Sequence, residues 1–206
     1  MNKYGKEVFR KILHMFAITG VIAWTYYYDD WKWSALVFLL AVFILFPGVF
    51  LMSKIPGLSG FINERKKGEF GYSMVALGMM YGEVCLVCWG LLGERLLAIA
   101  CILAWGPGDA AAALIGKPFG KHRIGKAKKK SLEGSIAMFI VSFIAVLGCL
   151  CYYGKYSMVA TVVVSLLAAT ASTFAEFLVN NGYDTFYCPV SAMVIIATSE
   201  FLLTRI

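Results

Sequence analysis

Acids interrupt long apolar runs in this chain, among them Glu83, Asp109 and Glu176. A charge near the middle of a membrane span costs roughly 2.5 to 3.5 kcal/mol even on the lenient insertion scale, so such residues usually face a bundle interior and mark a site or meet a partner charge. Asp109 is the most pointed case. The stretch WGPGDAAAALIG, residues 105 to 116, sets it behind Gly106, Pro107 and Gly108, which break a helix. Broken helices at membrane depth persist only where they are buried or line a wet cavity. A helix restarting after the break directs its first amides toward a ligand, with Asp109 as its candidate cap. Between Asp109 and Glu133 come seven Lys or Arg and no acid, spaced by Gly116, Gly120 and Gly125. Clustered cations with glycines that admit close backbone approach suit a polyanion such as a nucleoside triphosphate.

That binding is not of the P-loop kind. Residues 120 to 127, GKHRIGKA, match the spacing GxxxxGK, but Ala127 stands where Ser or Thr would hold magnesium. The segment also joins two apolar runs, whereas a P-loop joins a buried strand to a helix. The pair Cys85 and Cys88 lacks a second pair or clustered histidines, so all six cysteines read as packing residues.

Membrane helices must position these groups. Over 206 residues the chain is 60% hydrophobic and 15% charged, with mean hydropathy +0.75, which does not suit a soluble domain with a wettable surface. Apolar stretches near the roughly 20 residues needed to cross a bilayer recur at about 12 to 28, 33 to 52, 70 to 92, 96 to 116, 132 to 153, 157 to 179 and 186 to 203. The expected fold is an all-α integral membrane bundle of about seven transmembrane helices, a single domain over 1–206, with a phosphate-binding loop at about 117–131. The first run lacks a cleavage signal and reads as a retained helix. Fifteen Lys and Arg fall at the N-terminus and in the second and fourth loops, against Lys32, Arg95, Lys155 and Arg205 on the other side. This asymmetry predicts a cytoplasmic N-terminus. Part of that basic face serves only to orient the protein and meet anionic headgroups. Trp24, Tyr26, Tyr27, Tyr28, Trp31 and Trp33 read as an outer interfacial belt.

GDAAAALIGKPFGK (108 to 121) followed by KSLEGSIAMF (130 to 139) resembles the GDxxA, GxxxG and KSxEGS pattern of the CTP-dependent lipid-alcohol kinases, which include dolichol, phytol and CTP-using diacylglycerol kinases. EVFRKILH (7 to 14) is similar to the family's E-x-x-R-K-x-x-H entry to the first helix. Glu176 with YDTFYCP (183 to 189) is similar to its late acidic motif, with Thr185 where many members have a second Asp or Asn. The resemblance implies phosphoryl transfer from CTP to the hydroxyl of a membrane lipid at the cytoplasmic face.

Phosphoryl transfer needs in-line positioning, neutralised phosphate charge, usually Mg2+, and a group that orients or deprotonates the hydroxyl. On this reading Asp109 meets magnesium or the acceptor hydroxyl, and Glu133 is a second base or metal candidate. Gly108, Lys130, Ser131, Gly134 and Ser135 meet the triphosphate, with Lys121 and Arg123 as outer support. Glu176 and Asp184 complete the acidic, metal-binding side. Arg10, Lys11 and His14 hold phosphate or the lipid hydroxyl, and Tyr72 lines the lipid entrance. The expected partners are a lipid alcohol, CTP and membrane lipids, with no nucleic acid. Two other classes suit parts of the pattern. A cytidylyltransferase acting on phosphatidic acid would release pyrophosphate, and a proton-coupled transporter would use the intramembrane acids without a nucleotide.

Overall fold

The structure, a computed structural model, describes residues 3–53, 69–124, 130–179 and 182–204. Lys54, Arg65, Lys66 and Lys67 of the second loop lie outside them, as do Gly125, Lys126, Lys128, Lys129 and Arg205. Helix α1 spans Lys3–Tyr27, α2 Trp31–Ser53 and α3 Glu69–Val84, which continues as a π-helical segment over Cys85–Leu91. There follow α4 (Arg95–Leu103), α5 (Gly106–Phe119), a two-stranded antiparallel hairpin of β1 (Arg123–Ile124) and β2 (Lys130–Ser131), then α6 (Leu132–Tyr153), α7 (Met158–Leu178) and α8 (Asp184–Thr204). By length and composition six of the helical stretches can cross a membrane, α4 and α5 counting as one, and Trp31–Leu45 of α2 adds a shorter apolar one. The fold is the expected all-α membrane bundle.

The core forms around α4. Leu97, Ala98, Ala100, Cys101 and Ile102 are fully buried, as befits a helix that is apolar on every side. It packs on α1, α6, α8 and the π-helical segment, and α5 carries the chain onward between α1 and α6. Ends are set by ordinary capping: Asp30 Oδ1 accepts from the amides of Lys32 and Trp33 ahead of α2, and Ser157 accepts from the amide of Ala160 at α7.

Two expectations are corrected. The first helix starts well before the apolar run expected at about 12: α1 begins by Lys3, so Arg10 and Lys11 project from a helix. Asp109 is not a cap. Pro is tolerated in a helix's first turn, where its missing N–H has no intrahelical partner anyway. The break therefore falls earlier, at Ala104 and Trp105; α5 starts at Gly106, and the Asp109 amide already donates to the Trp105 carbonyl at 2.8 Å. Ser172 Oγ of α7 donates to the Ala104 carbonyl at 2.8 Å, satisfying backbone at the interruption.

Small residues let α5 and α6 approach backbone to backbone. A Cβ at Gly134 would lie 2.9 Å from the Ala112 carbonyl oxygen and 3.1 Å from Gly116 Cα. One at Gly108 would collide with Ser142 Oγ and come within 3.0 Å of Met138 Cγ. The close approach at these glycines is thus of helix to helix, the contact that drives association where lipid offers no hydrophobic contrast. Gly108→Ala is expected to destabilise the purified protein by about 1–3 kcal/mol, the usual cost of overpacking. Adding Ser142→Ala should recover part of that loss. Thermal unfolding of the single and double variants in one detergent measures both.

Candidate active site

On α1, Glu7, Arg10, Lys11 and His14 recur at i, i+3, i+4 and i+7 and so share one face, which continues into buried Ile18, Val21 and Thr25. That face meets α5. Lys11 Nζ donates to Asp109 Oδ2, with the two side chains only 6% and 15% exposed. His14 Nε2 lies 3.5 Å from the same oxygen, and its ring stands edge-on to Trp105 with centroids 5.0 Å apart. One turn away, buried Glu7 binds Arg10 at 2.7 Å and Lys117 of α5 at 2.5 Å. Two ion pairs therefore fasten α1 along α5.

A second group closes on the first from α7, α8 and the hairpin. Lys130 Nζ lies 2.8 Å from Glu176 Oε1 and donates to the Val179 carbonyl at 2.9 Å, where a cation also satisfies the C-terminal end of α7. Asp184, the first residue of α8, lies in the electrostatic field of Asp109, Lys11 and Lys130. One turn later on the same helix Cys188 is fully buried, in the neighbourhood of Asp184, Asp109, Glu176 and Lys130. Lys11, His14, Asp109, Lys130, Glu176 and Asp184 thus gather at one end of the bundle.

The remaining expected residues have other neighbours. Ser131 is buried and caps α6: its Oγ accepts from the Gly134 amide at 3.2 Å and donates to the Gly116 carbonyl at 3.4 Å. Glu133 accepts from the amides of Lys121 and His122, both at 3.1 Å, and lies 2.8 Å from His122 Nδ1, so it holds the entry to the hairpin. Its partners are not the acids around Asp109. Gly108 and Gly134 lie in the α5–α6 contact described above, and Ser135 follows on α6, half-buried. Lys121 and Arg123 are exposed and, with Lys117, form a cationic rim. Tyr72 is exposed on α3, its ring 6.1 Å from that of Tyr183 beside Asp184. Glu83 lies on α3 eleven residues beyond Tyr72, about 16 Å along the helix, away from this end of the bundle.

Sequence reasoning gave no role to Glu7, Trp105 or Cys188. The i, i+3, i+4, i+7 spacing of EVFRKILH already carried the signal for Glu7, since it puts that carboxylate on the face of Lys11. Cys188 carried none, because its importance comes from which helices meet there.

Among the described residues, Arg10 Nε, His14 Nε2 and Trp105 Nε1 are buried and lack a hydrogen-bond partner. Buried polar groups are nearly always paired, so these nitrogens suit oxygen atoms of a ligand or of ordered water. Asp109, Asp184 and Glu176 offer the hard oxygen donors that Mg2+ takes, usually one or two carboxylates completed by phosphate and water. No group of three or more His, Cys, Asp or Glu among the described residues stands ready to hold a metal alone. The donor set fits an ion that arrives with a polyphosphate.

The Lys11–Asp109 pair generates a stability prediction. Lys11→Met leaves a buried carboxylate uncompensated and is expected to cost about 3–5 kcal/mol. Asp109→Asn in the same chain should return most of that stability. Chemical or thermal unfolding of the two variants measures the effect; equal stability of Lys11→Met and the parent would contradict the pairing.

No family model matches the chain, and no solved structure matches it significantly. A phytol kinase of Synechocystis sp. is 28% identical to it over 199 residues, an alignment that covers 95% of this chain and 81% of that protein. This similarity supports kinship with a lipid kinase family.

Proposed function

We propose that this chain is a membrane-embedded kinase that transfers a phosphoryl group from CTP to the hydroxyl of a lipid alcohol at the cytoplasmic face. The observation that carries this reading is the buried Lys11–Asp109–His14 cluster, with unpaired nitrogens around it and an exposed cationic rim above it. A water-soluble polyanion and a membrane-held hydroxyl can meet at such a place. The similarity to a phytol kinase favours phosphoryl transfer over nucleotidyl transfer or transport, and points to an isoprenoid alcohol as acceptor. CTP as donor rests on the resemblance of the GDAAAALIG and KSLEGS motifs. The cytoplasmic position rests on the basic residues that gather at this end of the bundle.

Each residue then has a task. Asp109, ion-paired with Lys11, orients the acceptor hydroxyl and takes its proton as the new oxygen–phosphorus bond forms and CDP leaves. Lys117, Lys121 and Arg123 attract the triphosphate electrostatically, and Lys130 neutralises charge nearer the reacting centre. Arg10 and His14 turn their unpaired nitrogens to phosphate or hydroxyl oxygens. Ser131, Glu133 and Gly134 fix the hairpin and the start of α6, so that Lys130 stands where it does. Magnesium, when bound with the nucleotide, supplies further neutralisation of the phosphates, and Asp109, Asp184 and Glu176 are the residues that would hold it.

Positioned proton transfer contributes about 10²–10⁴-fold in rate, so Asp109→Asn should lose at least about a hundredfold of lipid phosphorylation. The assay is transfer of labelled phosphate to an isoprenoid alcohol by protein in bilayer nanodiscs, with elution volume confirming the fold. Full activity in a folded Asp109→Asn protein would refute the role.

A further inference from the structure

The contact between α1 and α5 is built in layers. Along the two helices Glu7 meets Lys117, Lys11 meets Asp109, and His14 meets both Asp109 and Trp105. One turn beyond His14 on the same face of α1, Ile18 packs on Gly106. A Cβ at Gly106 would lie 2.8 Å from Ile18 Cγ2, so the helices close there with no space between them. Trp105 therefore stands at the floor of the candidate site, where the polar layers give way to the apolar contact.

Trp105 also lies one turn from Asp109, on the same face, since its carbonyl accepts from the Asp109 amide at 2.8 Å. Its own amide donates to the Ile102 carbonyl at 3.2 Å, so the backbone of this residue is satisfied. The side chain is not. It is 2% exposed, and Nε1, which can only donate, has no partner. Burying such a donor is unfavourable unless something accepts from it. Packing alone asks for an apolar ring, which Phe supplies without an N–H to satisfy. The His14 ring, edge-on to Trp105 with centroids 5.0 Å apart, carries a second unpaired nitrogen, Nε2, 3.5 Å from Asp109 Oδ2. One carboxylate and two N–H donors, His14 as its Nε2–H tautomer, make up this layer. A hydroxyl has one proton to give and two lone pairs to fill. Asp109 matches the proton, and Trp105 and His14 match the lone pairs. A phosphate oxygen offers Asp109 no proton and fits this layer less well.

We infer that Trp105 binds the acceptor: its indole N–H, together with the His14 Nε2–H, holds the oxygen of the alcohol's hydroxyl beside Asp109. The inference rests on the kinase reading for the identity of the ligand, but binding is tested without turnover. The chain has five tryptophans. Protein carrying isotope-labelled tryptophan in phosphatidylcholine nanodiscs gives five indole N–H resonances. Trp24→Phe, Trp31→Phe, Trp33→Phe and Trp89→Phe assign that of Trp105 by elimination, so the test needs no change at Trp105 itself. Without nucleotide, an isoprenoid alcohol should move the Trp105 resonance downfield and leave the other four in place. The matching hydrocarbon, lacking the hydroxyl, should leave Trp105 unmoved. A Trp105 resonance indifferent to the alcohol, moved equally by the hydrocarbon, or moved only by CTP would overturn the inference, the last result making the N–H a nucleotide contact.

Turnover provides the second arm. Trp105→Phe keeps a ring against His14 and removes the N–H, so KM for the alcohol should rise about tenfold, the worth of a buried hydrogen bond, while KM for CTP keeps the parental value. An unchanged KM for the alcohol in folded Trp105→Phe protein, or a rise in KM for CTP instead, would also overturn it. Movement of the Trp105 resonance by the alcohol, with no phosphorylation of any alcohol, would support the binding inference and sink the kinase reading.

Discussion

A carboxylate held inside an apolar bundle must have a partner, and the Lys11–Asp109 pair is the constraint on which the rest of this architecture turns. For Lys11 to reach Asp109, α1 must be helical from its first residues, so that its polar face overlaps α5. For Asp109 to face α1, the fourth membrane segment must be interrupted at Ala104 and Trp105 and restart at Gly106. The second pair, Glu7–Lys117, then fixes the two helices along their length. Removing a buried partner is more costly than never having had the pair, so this arrangement tolerates little change on either side.

The basic segment after α5 gains its meaning from the same geometry. Lys130 does not wait in solvent: it meets Glu176 and the last carbonyl of α7, and thereby brings α7 and α8 to the side of Asp109. Ser131 and Glu133 are spent on local order, one capping α6 and the other gathering the amides of Lys121 and His122. Gly134 removes the side chain that would keep α5 and α6 apart. The stretch read as phosphate-facing thus also contains the joint that sets Lys130 in place. Exposed Lys121 and Arg123 stand at the same end of the bundle, with the unpaired nitrogens of Arg10, His14 and Trp105 in the buried cluster.

Much of this was legible in the residues. Apolar run lengths revealed the bundle, since membrane thickness imposes them, and Gly106-Pro107-Gly108 marked the interruption beside Asp109. The convergence of Asp109, Glu176 and Asp184 followed from motifs placed at one end of the bundle. The error over the Asp109 cap arose because a Gly-Pro-Gly sequence states that a helix breaks, yet Pro and Gly are both admissible within its first turn. Glu133 illustrates a second ambiguity. An acid two residues after a capping serine is equally able to point into a site or to collect nearby amides, and only the path of the hairpin decides. Cys188 looked like any apolar-run cysteine until α5, α7 and the hairpin were assembled beside α8.

The account stands or falls on where the phosphate goes. Purified protein in phosphatidylcholine nanodiscs, given magnesium, an isoprenoid alcohol and CTP labelled at its γ-phosphate, should place the label on the lipid and release CDP. Label released as pyrophosphate alongside a CDP-lipid, or no lipid-bound label with any alcohol, would contradict it.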